Sequence, residues 1–333
     1  MQLKGWIELR GIRLTTTEIE NILTLNPISV NQFGGEFYIQ WRNCRARDHF
    51  GIFPAGIPPG TIICDGVLEG KVHPNPPSMD LDRAITCAVR LRSEEGVVAM
   101  SGGIDSTLIA TLAQREAVAV GTANSHDLKR ASFVAKQLDI PCHFFTITED
   151  DVEMVLPQVL KFIPNATLTD IGIAVTLYFI AQWASKQGYK RIITGQGADE
   201  LFGGYARYLQ STTLIDDLQR DFEKLCLQIT RDQAIAALFD TYFSFPYLDV
   251  RVVRAANSIP GSEKVVGNVR KKPLRRVAEC YVPREIAMYE KKAMQYGSGV
   301  LHTIKLLARK NGYKNSMQGY LDYMRMANVD IKA

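Results

Sequence analysis

The stretch Gly96-Val97-Val98-Ala99-Met100-Ser101-Gly102-Gly103-Ile104-Asp105-Ser106-Thr107 decides the fold. An apolar run of strand length ends in a serine-glycine-glycine turn, and a helical pattern runs on from Ser106 to Gln114. A loop at the carboxyl end of a strand and the start of a helix is where free backbone N–H groups and the helix dipole favour an anion. Paired glycines let the backbone approach phosphate oxygens without a Cβ in the way, and Ser101, Ser106 and Thr107 add hydroxyl donors. A Walker A loop would supply a lysine after its second glycine. This loop carries Asp105, which meets a phosphate only through a bridging Mg2+. A plain tight turn capped by serine or aspartate uses the same residue types, and the context of strand, loop and helix argues against it.

Outward from this loop, short apolar runs alternate with helical patterns. Strands are expected at Ala117 to Thr122, Cys142 to Ile147 and Arg191 to Thr194. Helices are expected at Asp127 to Leu138, Glu149 to Phe162 and Ile171 to Gln187. Such alternation predicts an α/β fold, a parallel sheet with helices on both faces. From Leu209 onward the pattern is mainly helical, without obvious strands, which predicts a helical C-terminal region. The first ~75 residues read as short strands and turns, with alternation in Phe37-Tyr38-Ile39-Gln40-Trp41 and turn clusters at Gly34-Gly35 and Pro58-Pro59-Gly60. The proline-rich Val72 to Ser78 reads as a linker, so the expected division is a small β-rich unit over 1–75 and a larger domain over 76–333.

With 46% hydrophobic residues the chain can bury a sizeable core. No stretch approaches the roughly 18 uninterrupted apolar residues of a membrane span, and the opening MQLKGWIELRG is too polar for a secretory signal, so a cytoplasmic location is expected. Cys44, Cys64, Cys87, Cys142, Cys226 and Cys280 form neither a CxxC pair nor a zinc spacing, and are expected to be reduced and mostly in the core. A net charge of +4 is modest. The densest basic run, Lys271-Lys272-Pro273-Leu274-Arg275-Arg276, reads as a solvated face rather than a nucleic-acid surface.

A second motif follows the Arg191 to Thr194 run: Gly195-Gln196-Gly197-Ala198-Asp199-Glu200-Leu201-Phe202-Gly203-Gly204-Tyr205. Gly195 and Gly197 leave room for a nucleotide against the backbone, and Asp199 offers a second carboxylate for Mg2+.

The first motif matches the pyrophosphate loop of the N-type ATP pyrophosphatases, and the second resembles the signature of asparagine synthetases. The resemblance continues through Val120-Gly121, Ser125-His126-Asp127-Leu128, Pro246-Tyr247-Leu248-Asp249, Lys271 to Arg275 and Lys291-Lys292 leading to Gly297-Ser298-Gly299, about 250 residues from near Asp80. It implies an adenine-nucleotide α-hydrolase-like fold, ATP and Mg2+ as cofactors, and cleavage of ATP to AMP and pyrophosphate. Ser101, Gly102, Gly103, Ser106 and Thr107 would hold pyrophosphate, Asp105 and Asp199 would share the metal, and the Val120 backbone would read adenine. Lys291 aligns with the family's active-site lysine, for which the plain reading is an exposed lysine at a helix end. Lys271 would contact phosphate. The implied reaction adenylates a carboxylate, aspartate, and transfers it to ammonia, giving asparagine.

This chain also departs from the family. Position 2 is Gln2 where glutamine-using members carry the nucleophilic cysteine. The segments Phe33 to Tyr38 and Arg47 to Pro54 resemble only the later part of a glutaminase domain, so the N-terminal unit reads as a truncated remnant. The amine would then come from free ammonia, a separate glutaminase subunit or a larger nucleophile. Gln196 stands where asparagine synthetases have glutamate and β-lactam synthetases have tyrosine. Tyr242 and Ser244 replace a Glu-x-Arg pair, and Tyr289 replaces a common arginine. These departures keep open a β-lactam-synthetase-like or peptide-cyclase-like relative acting on another carboxylate or amine, and a non-catalytic nucleotide-binding protein. The oligomeric state, homo-oligomer included, is open.

Overall fold

The computed structural model describes residues 1–163, 166–290 and 294–327. Its strands are β1 (Gln2–Leu9), β2 (Ile12–Arg13), β3 (Gly34–Trp41), β4 (Cys44–Arg47), β5 (Thr61–Cys64), β6 (Val67–Lys71), β7 (Val97–Ala99), β8 (Ala117–Thr122), β9 (Cys142–Ile147), β10 (Arg191–Ile193) and β11 (Tyr242–Ser244). The chain divides into two compact units. The first comprises Met1–Glu95, Ile193–Gln233 and Tyr242–Tyr281; the second comprises Gly96–Ile192, Ala234–Thr241 and Val282–Ala333.

In the first unit an antiparallel sheet of order β2-β1-β3-β4-β5-β6 buries Ile7, Phe37, Ile39 and Trp41 against Ile19, Leu23 and Phe33. Ile19 and Leu23 come from a helix, Thr16–Leu25, that the expected β-rich unit of short strands and turns did not include. Three successive threonines favour extended chain locally. The reciprocal cap between Thr15 and Glu18 and burial of an i, i+4 apolar pair decide for helix instead. The cysteines also need correction. Strand register sets Cys44 directly opposite Cys64 on β4 and β5, and the two form a disulfide. None of the other four is fully buried: Cys87 and Cys142 are half-buried, Cys226 and Cys280 exposed.

The polar core of this unit is a buried chain of alternating charges. Glu36 on β3 accepts from Arg92 Nε at 2.7 Å, Trp6 Nε1 at 3.2 Å, the Ser244 hydroxyl at 2.6 Å and the Phe245 N–H at 3.0 Å. Arg92 also donates to Asp249 at 3.0 Å, Asp249 accepts from Arg251, and Arg251 reaches Glu8 at 2.7 Å. Ser244, one of the two departures before Pro246, is thus bonded to the N-terminal sheet, and the Tyr242 ring lies 5.0 Å from that of Phe53. Both residues belong to β11, a strand missed in the expected helical region. It is three residues long and buried throughout, so it shows no alternation to read.

In the second unit β7, β8 and β9 run parallel, with Val98 opposite Ala117 and Val120 opposite Phe145, and β10 lies next to β7. Helices Ile104–Ala113, His126–Gln137, Glu149–Phe162 and Leu168–Lys186 alternate with these strands as expected, and Val300–Lys310 and Met317–Ala327 make the C-terminal helical region. Leu168–Lys186 is long and apolar enough to cross a membrane by length and composition alone. It is 61% buried within the protein, with Ile171, Val175 and Phe179 among its buried residues, as suits a core helix.

Candidate active site

In the second unit, β7 delivers Met100 to Gly103 into a turn before the helix Ile104–Ala113. Gly102 has φ +72, and a Cβ there would lie 2.6 Å from Ala131 N and 2.7 Å from the Arg130 carbonyl carbon, so glycine is required on both counts. Gly103 is the helix N-cap and offers no side-chain cap, which leaves the first-turn N–H groups for another acceptor. The Ser106 hydroxyl accepts the Ser101 N–H at 3.1 Å and lies 3.1 Å from the Ser101 hydroxyl. Thr107 is fully buried and its Oγ1 has no hydrogen-bond partner among the described residues. A buried hydroxyl left unmatched costs ~1–3 kcal/mol, and a phosphate oxygen would satisfy it. Asp105 occupies the first turn of the same helix. Val120 lies near the end of β8, 6% exposed. Thr122 donates its N–H to Ser298 O, and the bare Cα atoms of Gly121 and Gly299 let these segments meet.

In the first unit, the Gly195 to Tyr205 segment turns at Gly197, φ +91, where a Cβ would meet Leu248 at 2.7 Å. Asp199 pairs with Lys271, Nζ to Oδ1 2.6 Å, so the structure brings these two predicted residues together. The pair fits only because Gly204 has no side chain: a Cβ there would lie 1.7 Å from Asp199 Oδ1 and 2.1 Å from Lys271 Cε. Lys271 holds a left-handed backbone, φ +55, which is costly for a residue with a side chain. Arg275 is buried with it, while Lys272 is half-buried and Arg276 exposed, so only part of this basic run is the solvated face expected. Arg275 turns inward to donate to Arg270 O at 2.8 Å.

Gln196 ends a relay that sequence reasoning missed. Its Nε2 donates to Gln228 Oε1 at 2.6 Å, Gln228 Nε2 donates to Glu200 at 3.2 Å, and the Tyr205 hydroxyl donates to Glu200 at 2.6 Å. Gln196 thus enters the relay through its Nε2, and its Oε1 keeps its capacity as an acceptor. Burial, then the adjacent Asp199 carboxylate, pushes Glu200 up to about 7, against the bonds from Tyr205 and Gln228. Gln228 lies far along the chain, and nothing local in the sequence pointed to it. Lys291, the predicted charge stabiliser, lies outside the described residues.

The residues of the phosphate loop fit a nucleotide's phosphates, by the unmatched Thr107 hydroxyl and the close backbone at Gly102. No group of three or more metal-ligating side chains occurs among the described residues, so a magnesium ion at Asp105 or Asp199 would complete its shell with phosphate oxygens and water.

Residues 80–243 and 227–328 match the family model described as asparagine synthase. A putative glutamine-hydrolysing asparagine synthetase of Methanocaldococcus jannaschii is 35% identical over 292 residues, covering 74% of this chain and 54% of that protein. Asparagine synthetase B of Escherichia coli is 26% identical over 238 residues, covering 63% and 43%. The chain thus spans about half the length of the curated relatives it matches. Among solved structures, an NH3-dependent NAD synthetase from Campylobacter jejuni is similar at 18% identity and a TM-score of 0.35, over 76% of this chain and 96% of that one, a likeness too loose to build on. On its family match, the chain belongs to the asparagine synthase family.

Proposed function

We propose that the protein is an ATP-dependent amide-forming ligase that adenylates a carboxylate, that of aspartate, and passes the acyl group to ammonia. A carboxylate oxygen attacks the α-phosphorus and pyrophosphate leaves. The amine nitrogen then attacks the acyl carbon, loses a proton, and AMP departs with the oxygen that came from the carboxylate. Ser101, Gly102, Gly103, Ser106 and Thr107 hold the pyrophosphate by backbone and hydroxyl donors. The Val120 backbone receives adenine, and Gly195 and Gly197 leave space for nucleotide. Lys271 contacts phosphate, and Lys291 offsets charge on the reacting acyl group. Asp105 and Asp199 are the carboxylates assigned to Mg2+, which when bound screens the negative charge of the phosphates.

The observation that carries this reading is the loop itself: a glycine turn packed too closely for any side chain, opening a helix whose buried Thr107 hydroxyl is unspent. A second reading, another carboxylate or amine, draws on Gln196. Its neutral amide offers an acceptor and cannot take a proton from the incoming amine. The amine source we assign is free ammonia or ammonia from a separate glutaminase.

The test measures pyrophosphate release from ATP and Mg2+ with aspartate plus ammonium, aspartate plus glutamine, or neither, with Asp105→Ala as control. Release requiring aspartate and ammonium, with asparagine and AMP formed, supports the reading. Release requiring glutamine overturns the assignment of the amine, and no release above the control sinks the asparagine assignment.

A further inference from the structure

Arg130 lies in the second unit, on the helix His126–Gln137 that packs against the phosphate loop: a Cβ on Gly102 would lie 2.8 Å from Arg130 Cγ. Its guanidinium carbon sits 3.7 Å from the centroid of the Tyr289 ring and 4.8 Å from that of Phe133. The Tyr289 hydroxyl is 2.7 Å from His126 Nε2, and the two rings stack at an interplanar angle of 15°, so the platform under the arginine is itself anchored. Stacking uses the face of a guanidinium and leaves its in-plane N–H donors unspent. Here Nε and Nη2 are both buried and have no hydrogen-bond partner among the described residues. Burial lowers the pKa of this arginine, with Tyr289 and Glu285 acting against the shift. A cation with two unspent, desolvated donors beside the backbone of an anion-binding loop is poorly satisfied alone and suited to a multivalent oxyanion.

We propose that Arg130 is a substrate-contacting residue that binds the pyrophosphate portion of the nucleotide at the Ser101–Gly103 turn, its planar edge preset by the Tyr289 stack. The proposal rests on the nucleotide-site reading above and adds a charge that neither sequence motif supplied.

Calorimetric titration of inorganic pyrophosphate, and separately of AMP, each with Mg2+, into the wild type, Arg130→Gln and Arg130→Lys tests it. The glutamine variant should lose about 10- to 100-fold in pyrophosphate affinity, the scale of a charged hydrogen-bonded contact. The lysine variant should fall between, and AMP affinity should stay within about twofold. Unchanged pyrophosphate affinity in Arg130→Gln, or an equal loss for AMP, would overturn the assignment while leaving the nucleotide site standing. A wild type that binds neither pyrophosphate nor AMP would instead refute the proposed function. Should Arg130→Gln not fold, Arg130→Lys decides: full pyrophosphate affinity there overturns the proposal, because a point charge lacks the planar edge.

Discussion

Replacing Glu36 by glutamine should destabilise the first unit strongly although the side-chain shape is kept. Glu36 is fully buried and each carboxylate oxygen accepts from two donors: Oε1 from Arg92 and Phe245, Oε2 from Trp6 and Ser244. An amide presents NH2 at one of these positions. The least costly arrangement keeps the oxygen toward Arg92 and turns NH2 toward Ser244, whose hydroxyl can rotate to accept. The Trp6 indole N–H cannot, and Arg92 exchanges a charged acceptor at this position for a neutral one, keeping its ion pair with Asp249. Breaking a buried ion pair by removing one partner costs ~3–5 kcal/mol, and the retained volume places this variant near the lower end. For a domain of this size that corresponds to a Tm lower by roughly 6–12 °C. Urea unfolding followed by tryptophan fluorescence reads it directly, since Trp6 sits in the network and is 2% exposed. A loss below about 1 kcal/mol would refute the claim that Glu36 organises this core.

Other outcomes follow from the same geometry. Gly204→Ala should separate Asp199 from Lys271, lowering ATP affinity and stability together by ~2 kcal/mol or more, checked by calorimetry and thermal melts. Glu200, raised from 4.5 to about 7, retains in the fold a proton that the unfolded chain has lost. Stability should therefore fall as pH rises from 4.5 to 7 and level off above, and Glu200→Gln should flatten that slope in urea titrations at successive pH values. Asp48, also raised to about 7 by burial, gives a slope of the same sign, so the readout is the difference between wild type and variant.

Much of the second unit was legible because each of its strands is a short apolar run bounded by a helix start. The runs at Ala117 and Cys142 became strands at those residues, and Glu149 to Phe162 became that helix. Local signals failed where contacts distant in sequence decide the structure. The β4–β5 register pairs Cys44 with Cys64 across 20 residues, and β11 is too short and too buried to show a period. The turn from Ser101 to Gly103 and the helix after it were readable, since the glycines and hydroxyls that shape them are local in sequence. Arg130 and Gln228 were not, because the first draws its meaning from Tyr289 and Gly102 and the second from Gln196 and Glu200. Lys271 stands out in sequence as a candidate phosphate contact, while the room for its pairing with Asp199 depends on Gly204.

The proposed function turns on one step, activation of a carboxylate by transfer to the α-phosphorus. Aspartate labelled with 18O in its side-chain carboxylate, turned over with ATP, Mg2+ and ammonium, tests that directly by mass spectrometry of the released nucleotide. One 18O atom is expected in each AMP and none in pyrophosphate, because the oxygen that attacks phosphorus leaves with it. Label in orthophosphate alongside ADP would place the attack on the γ-phosphorus and contradict the account.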